Sequence, residues 1–155
     1  MKLTEQLHKQ VEDLANGVRK DFRSKGIIIP RKEDNGSINF DGYFVVRDKT
    51  GFYSILNRVN SIIIKNINLP QSAVLIANKL ALGRPIDDKI VSQDMQYGFN
   101  SFEEEQCKRV ASKMAKKNDW ERFDSLVVKQ GIAHLKAEYA KKTILSSFEK
   151  LRQLR

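Results

Sequence analysis

The sequence predicts a single α+β domain, and three observations carry that expectation. It opens with an apolar stripe at helical spacing, continues through three runs rich in β-branched and aromatic residues, and ends in long helical periodicity with no proline after Trp120. With 155 residues, 41% of them apolar, the chain has the length of one ordinary domain. No low-complexity linker or internal repeat divides it, so 1–155 is read as one unit. Its expected parts are an N-terminal helix over 1–25, a small antiparallel β-meander over 27–67 and a helical part over 69–155.

The N-terminal helix rests on Leu3, Leu7, Val11, Leu14, Val18 and Phe22, which recur at steps of three and four. Gly26 suits its stop, and cations at 19, 20, 23 and 25 lie where the helix dipole favours them. The run "GIIIP" reads as a short strand and "RKEDNGS" as a polar turn. Next, "YFVVR" and "FYSIL" flank "DKTG", whose Asp and Gly suit a type I turn with a glycine bulge, and "SIIIKNI" extends the hairpin into a meander.

Pro70 fits the first turn of a helix, with Asn68 as its expected cap, Ala73, Ile76, Ala77, Leu80 and Ala81 on its buried face, and Gly83 as its stop. A short helix is expected from Asp87 and Asp88 to Gly98. Ser101 and Glu104 read as a capping box that opens another. Asn118 and Asp119 mark a tight turn. After it, Val128, Ile132, Leu135 and Tyr139 recur at steps of 4, 3 and 4, and Ile144, Phe148 and Leu151 repeat steps of 4 and 3. An unbroken helix from 119 to 153 would be about 52 Å long, against roughly 40 Å for the diameter of a compact chain of this size. The sequence therefore predicts a kink at Gly131, a distal part that leaves the body for a second subunit, or a frayed end.

Composition excludes several functions. One cysteine forms no internal disulfide, and with only His8 and His134 beside it there is no soft ligand set for a structural zinc; no metal or cofactor is expected. No apolar run approaches the roughly 18 residues that cross a bilayer, and the first residues lack the apolar stretch of a signal peptide, so no membrane partner and a cytoplasmic location are expected. Glycine-rich phosphate loops, H-E-x-x-H and G-x-S-x-G are absent. Cys107 and His134 are the one Cys/His pair, but Cys107 shares a stripe with Val110 and Met114, which marks it as a core residue. Asp87, Asp88 and Lys89 resemble the acid and lysine clusters of metal-dependent nucleases, yet no second such strand follows, and acids after a proline begin helices. The hairpin aromatics Tyr43, Phe44, Phe52 and Tyr53 alternate faces, so at most about half of them could stack bases. No catalytic residue is assigned.

Charge carries the strongest signal. Residues 1–105 hold 15 cations and 14 anions, whereas residues 106–155 hold 13 and 5, so the last third carries +8 of the net +9. In "QCKRVASKMAKKN" the basic and apolar residues fall on separate faces of a helix. Glu104 and Glu105 precede Lys108 and Arg109 at i,i+4, as any solvated amphipathic helix would arrange them. The total is what that account leaves over, because an uncompensated excess raises the free energy of the compact state. Lys108, Arg109, Lys113, Lys116, Lys117 and Arg122 are accordingly the expected contacts to a DNA or RNA backbone, bound through charge and without sequence specificity.

The hairpin "YFVVRDKTGFYSILN", the acid- and base-rich N-terminal helix, the Lys, Ile and Asn usage of an AT-rich genome and the long basic end together resemble small uncharacterised proteins of marine T4-like cyanophages. That resemblance implies an accessory or virion-associated phage protein in an infected bacterial host, and it transfers no site residues. Two functions follow as expectations. The first is a non-enzymatic accessory protein that binds nucleic acid through its basic C-terminal helices. The alternative is a structural or assembly protein that oligomerises with itself or another component through Ile144, Phe148 and Leu151 on its terminal helix.

Overall fold

The computed structural model describes residues 2–154 and has an α+β architecture. Helix α1 (Lys2–Ser24) leads into a five-stranded antiparallel sheet, followed by α2 (Pro70–Ala81), α3 (Asp88–Lys116) and α4 (Trp120–Gln153). The strands β1 (Arg31–Lys32), β2 (Ile38–Phe40), β3 (Tyr43–Arg47), β4 (Tyr53–Leu56) and β5 (Ile62–Ile67) lie side by side in chain order, a meander. Phe40, Val45, Ile55 and Ile67 bury one face of the sheet, and Ala73, Ile76 and Ala77 of α2 share that core. Side chains two apart on a strand point the same way, which is how these short strands supply a common apolar face.

The turn chemistry is close to expectation. In the β3–β4 turn the Asp48 carboxylate accepts from the Thr50 and Phe52 amides and the Thr50 hydroxyl, and Gly51 takes φ +95°. The Thr50 hydroxyl, ahead of the amides, holds the Asp48 carboxyl below its ordinary range. Gly26 and Gly83 likewise adopt positive φ where α1 and α2 stop. The first cap of α2 differs: Leu69 is the N-cap and has no side-chain bond, while Asn68 turns to Asp94.

Three other local expectations are corrected. "GIIIP" joins no ladder, although Ile27 and Ile28 are buried; the Asn78 side chain satisfies it instead, accepting from the Ile28 amide at 2.7 Å and donating to the Gly26 carbonyl at 3.0 Å. The segment read as a polar turn supplies β1. The expected helix boundary at Gly98 and Ser101 does not exist: Asp87 caps one helix of 29 residues, and Ser101 and Glu104 lie within it. Gly98 marks a close approach rather than a stop, because a Cβ there would collide with the Asn68 side chain.

The long terminal helix resolves its length conflict in an unexpected direction. It runs unbroken through Gly131, so the expected kink is absent. Its C-terminal end stays home: Ile144 is fully buried in the core, with Phe148 and Leu151 packed against it. The overhang lies at the other end, where α4 pairs antiparallel with α3 across the Asn118 turn. Ile90, Val91 and Tyr97 root α3 in the same core. Beyond these roots, residues 101–139 form a two-helix arm.

Candidate interaction surface

The arm is held to the body by a buried carboxylate. Asp94 is 3% exposed and accepts from the backbone amides of Asn68 at 2.8 Å and Leu69 at 2.9 Å, two donors at the start of α2 that have no helical partner. About two turns before, Asp87 caps α3 and pairs with Lys79 at 2.7 Å. The Lys79 hydrogen bond and charge hold the Asp87 carboxyl below its ordinary value. These two acids tie the root of α3 to both ends of α2.

Outward from the root, the seam between α3 and α4 is made of small residues. Asn100, Cys107 and Ala111 are the buried positions on one side and Ala133, Ala137 and Ala140 on the other. Alanine seams let helices approach closely, and the large side chains are consequently turned out. Met95, Phe99, Phe102 and Val110 form an exposed stripe on α3, and Val128, Ile132, Leu135 and Tyr139 form one on α4. Phe99 is 68% exposed and Leu135 70%. Helix α1 repeats the pattern: none of its residues is buried, and Leu14 of its stripe is 71% exposed. It touches the body through its last turn, where Arg23 pairs with Asp41 at 2.8 Å and donates to the Ala81 carbonyl at 2.9 Å.

Area shows how unusual this is. A compact monomer of 17.8 kDa exposes about 8,000 Å², whereas this chain exposes 11035 Å². The excess of about 3,000 Å² is several times the roughly 800 Å² that each partner contributes to a standard protein interface.

The basic residues gather at the arm's tip. Lys108, Arg109, Lys113, Lys116, Lys117 and Arg122 are all exposed around the Asn118 turn, and Arg122 lies 3.6 Å from the capping Asp119. The assembly residues expected from the sequence are placed otherwise: Ile144, Phe148 and Leu151 are occupied by the chain's own core, because the C-terminal half of α4 is its root. The exposed α3 stripe was hidden in the sequence by the capping-box reading, which cut it at Gly98; its steps of 4 and 3 from Met95 to Phe102 were the available signal.

No catalytic constellation forms among the described residues. His134 bonds Glu104 at 3.0 Å rather than Cys107, which is buried in the seam. Asp87 is consumed by its cap and by Lys79, and Asp88 faces solvent. Tyr43 and Tyr53 pack against the core, so the hairpin aromatics do not form one open platform. No helix among the described residues is long and apolar enough to cross a membrane, and no group of metal-ligating side chains is present among them. Comparison with protein-family models, with curated proteins and with solved structures finds no match for this chain.

Proposed function

We propose that this chain is a non-enzymatic assembly protein, of the accessory or virion-associated kind that the cyanophage resemblance implies, whose α+β body holds out helices to be covered by protein. One observation carries the reading: the large apolar residues of α1 and of the arm stand exposed in continuous stripes, and the chain exposes about 3,000 Å² more than a compact monomer of its mass. Contiguous apolar surface of that size is scarce on chains that work alone. Light scattering on the purified protein at micromolar concentration tests it. A mass at least twice 17.8 kDa is expected; a strict monomer overturns the reading.

A second reading has its own observation. Six exposed cations at the arm's tip suit a phosphate backbone, which would bind through charge and lose affinity steeply with salt. Retention on duplex and single-stranded DNA at about 50 mM salt, abolished near 500 mM, is the expected behaviour. Absence of binding at low salt removes this reading and leaves assembly standing.

A further inference from the structure

The uncovered surfaces on one chain match one another in length and spacing. Along α3, Met95, Phe99, Phe102, Gln106 and Val110 follow at steps of 4, 3, 4 and 4. Reading α1 backward, Val18, Leu14, Val11, Leu7 and Leu3 follow at the same steps. Each row covers sixteen residues, fifteen steps or about 23 Å of helix. Two helices laid antiparallel would thus bring Leu3 level with Val110, Leu14 with Phe99 and Val18 with Met95.

Both helices also divide their charges along their length. The first part of α3, residues 88–105, holds five acids and one cation, and its remainder to 117 holds five cations and no acid. On α1, residues 2–13 hold three acids and two cations, and residues 14–24 hold three cations and one acid. In this register Glu5 lies level with Lys108 and Lys9 with Glu104. Antiparallel helix dipoles favour the same direction.

The arm provides a seat. Turning ~100° per residue from the alanine seam, the α3 and α4 stripes fall on one side of the hairpin. Between them lies a small pocket lined by Asn100, Glu103, Lys129, Ile132, Ala133 and Lys136. Helix α1 makes no contact with the arm of its own chain, since Gly26 and the Arg23 bonds to Asp41 and Ala81 fix its exit from the body.

We propose that α1 of one copy lies antiparallel to α3 between the stripes of a second copy's arm, and that the second copy returns the contact, closing a two-fold dimer through two three-helix layers. The exchange uses both apolar surfaces of both chains. That accounts for an excess area in the range of permanent rather than transient interfaces. This inference rests on the assembly reading and specifies its contact.

Two single-cysteine chains test the arrangement, each made in a Cys107→Ala background and each checked for an unchanged circular dichroism spectrum. One carries Gln6→Cys on α1 and the other Gln106→Cys on the arm, positions one residue from level in the proposed register, in which Leu7 is level with Gln106. Mixed and oxidised, they are expected to give a disulfide-linked heterodimer as the main product, while Gln6→Cys mixed with Ser92→Cys, at the arm's root, gives at least tenfold less. Linkage of Gln6→Cys mainly to itself, preference for Ser92→Cys, or a closed monomer from the Gln6→Cys/Gln106→Cys double variant overturns the exchange. A wild-type dimer by mass without the heterodisulfide also overturns it while the assembly reading survives; a wild-type monomer overturns both.

Discussion

The body and the two helical projections use the same apolar residue types to opposite ends. In the body, Ile55, Ile76 and Ile144 are fully enclosed, and the helices that supply them meet the sheet through those side chains. In the projections, leucines, valines and phenylalanines at equally regular spacing stand in solvent, and the contact between α3 and α4 is left to small residues, mostly alanines with Cys107 and Asn100. The lesson concerns what amphipathic spacing means. A stripe at i, i+3, i+4 states that a helix face is to be buried; whether its cover comes from the same chain depends on where the roots of the helix are tied. Here Asp94, Asp87 and the Arg23 bonds fix those roots so that the body is completed with much apolar surface still free.

The sharpest way to break this comparison is to cut equally large side chains from each region. Ile144→Ala is expected to destabilise the fold by about 2–5 kcal/mol, through lost burial and the cavity left behind. Leu135→Gln on the arm should change monomer stability by no more than about 0.5 kcal/mol yet lower the assembled mass. Urea melts under dilute conditions, read with light scattering at micromolar concentration, distinguish the two. If Leu135→Gln destabilised the isolated chain as Ile144→Ala does, the arm would belong to the core.

Two glycines sharpen the boundary between the regions. At Gly98 an added Cβ meets Asn68 where the arm joins the body, and Gly98→Ala is expected to cost about 1–3 kcal/mol through forced repacking. At Gly131, well out on the arm, nothing lies within 4 Å of the added methyl. Gly131→Ala should therefore stabilise the helix by up to about 1 kcal/mol. Opposite signs in thermal melts are the expected result, and a loss at both positions would count against an open arm.

The smallest effect is electrostatic and lies at the root. The carboxyl of Asp87 is held below its ordinary value by the Lys79 hydrogen bond, so its contribution is present at neutral pH and fades as the pH falls through 3.8 and below. Since both partners are partly exposed, with side-chain exposures of 26% and 41%, the pair contributes at most about 1 kcal/mol. Asp87→Asn should flatten the acid limb of the stability profile below about pH 5 by up to that amount, measured as urea midpoints. An unchanged slope would show that the pair is not formed in solution.

Local physics made much of this fold legible in advance. Stripe spacing marked α1 and the two ends of α4, Pro70 and Gly83 bounded α2, and Asp48 with Gly51 specified the β3–β4 hairpin, because each depends on neighbours within a few residues. The sequence likewise determined the charge division, with its acid-free run from Gln106 to Asn118. What tertiary structure alone decided is which stripes would be covered. Gly98 was read as a stop because its reason, the approach of Asn68, lies thirty residues away in the chain; Ile144, Phe148 and Leu151 looked free until the sheet and α2 were seen to enclose them. Periodicity records that a face is apolar, and only the three-dimensional anchoring of each helix settles what remains for a partner to bury.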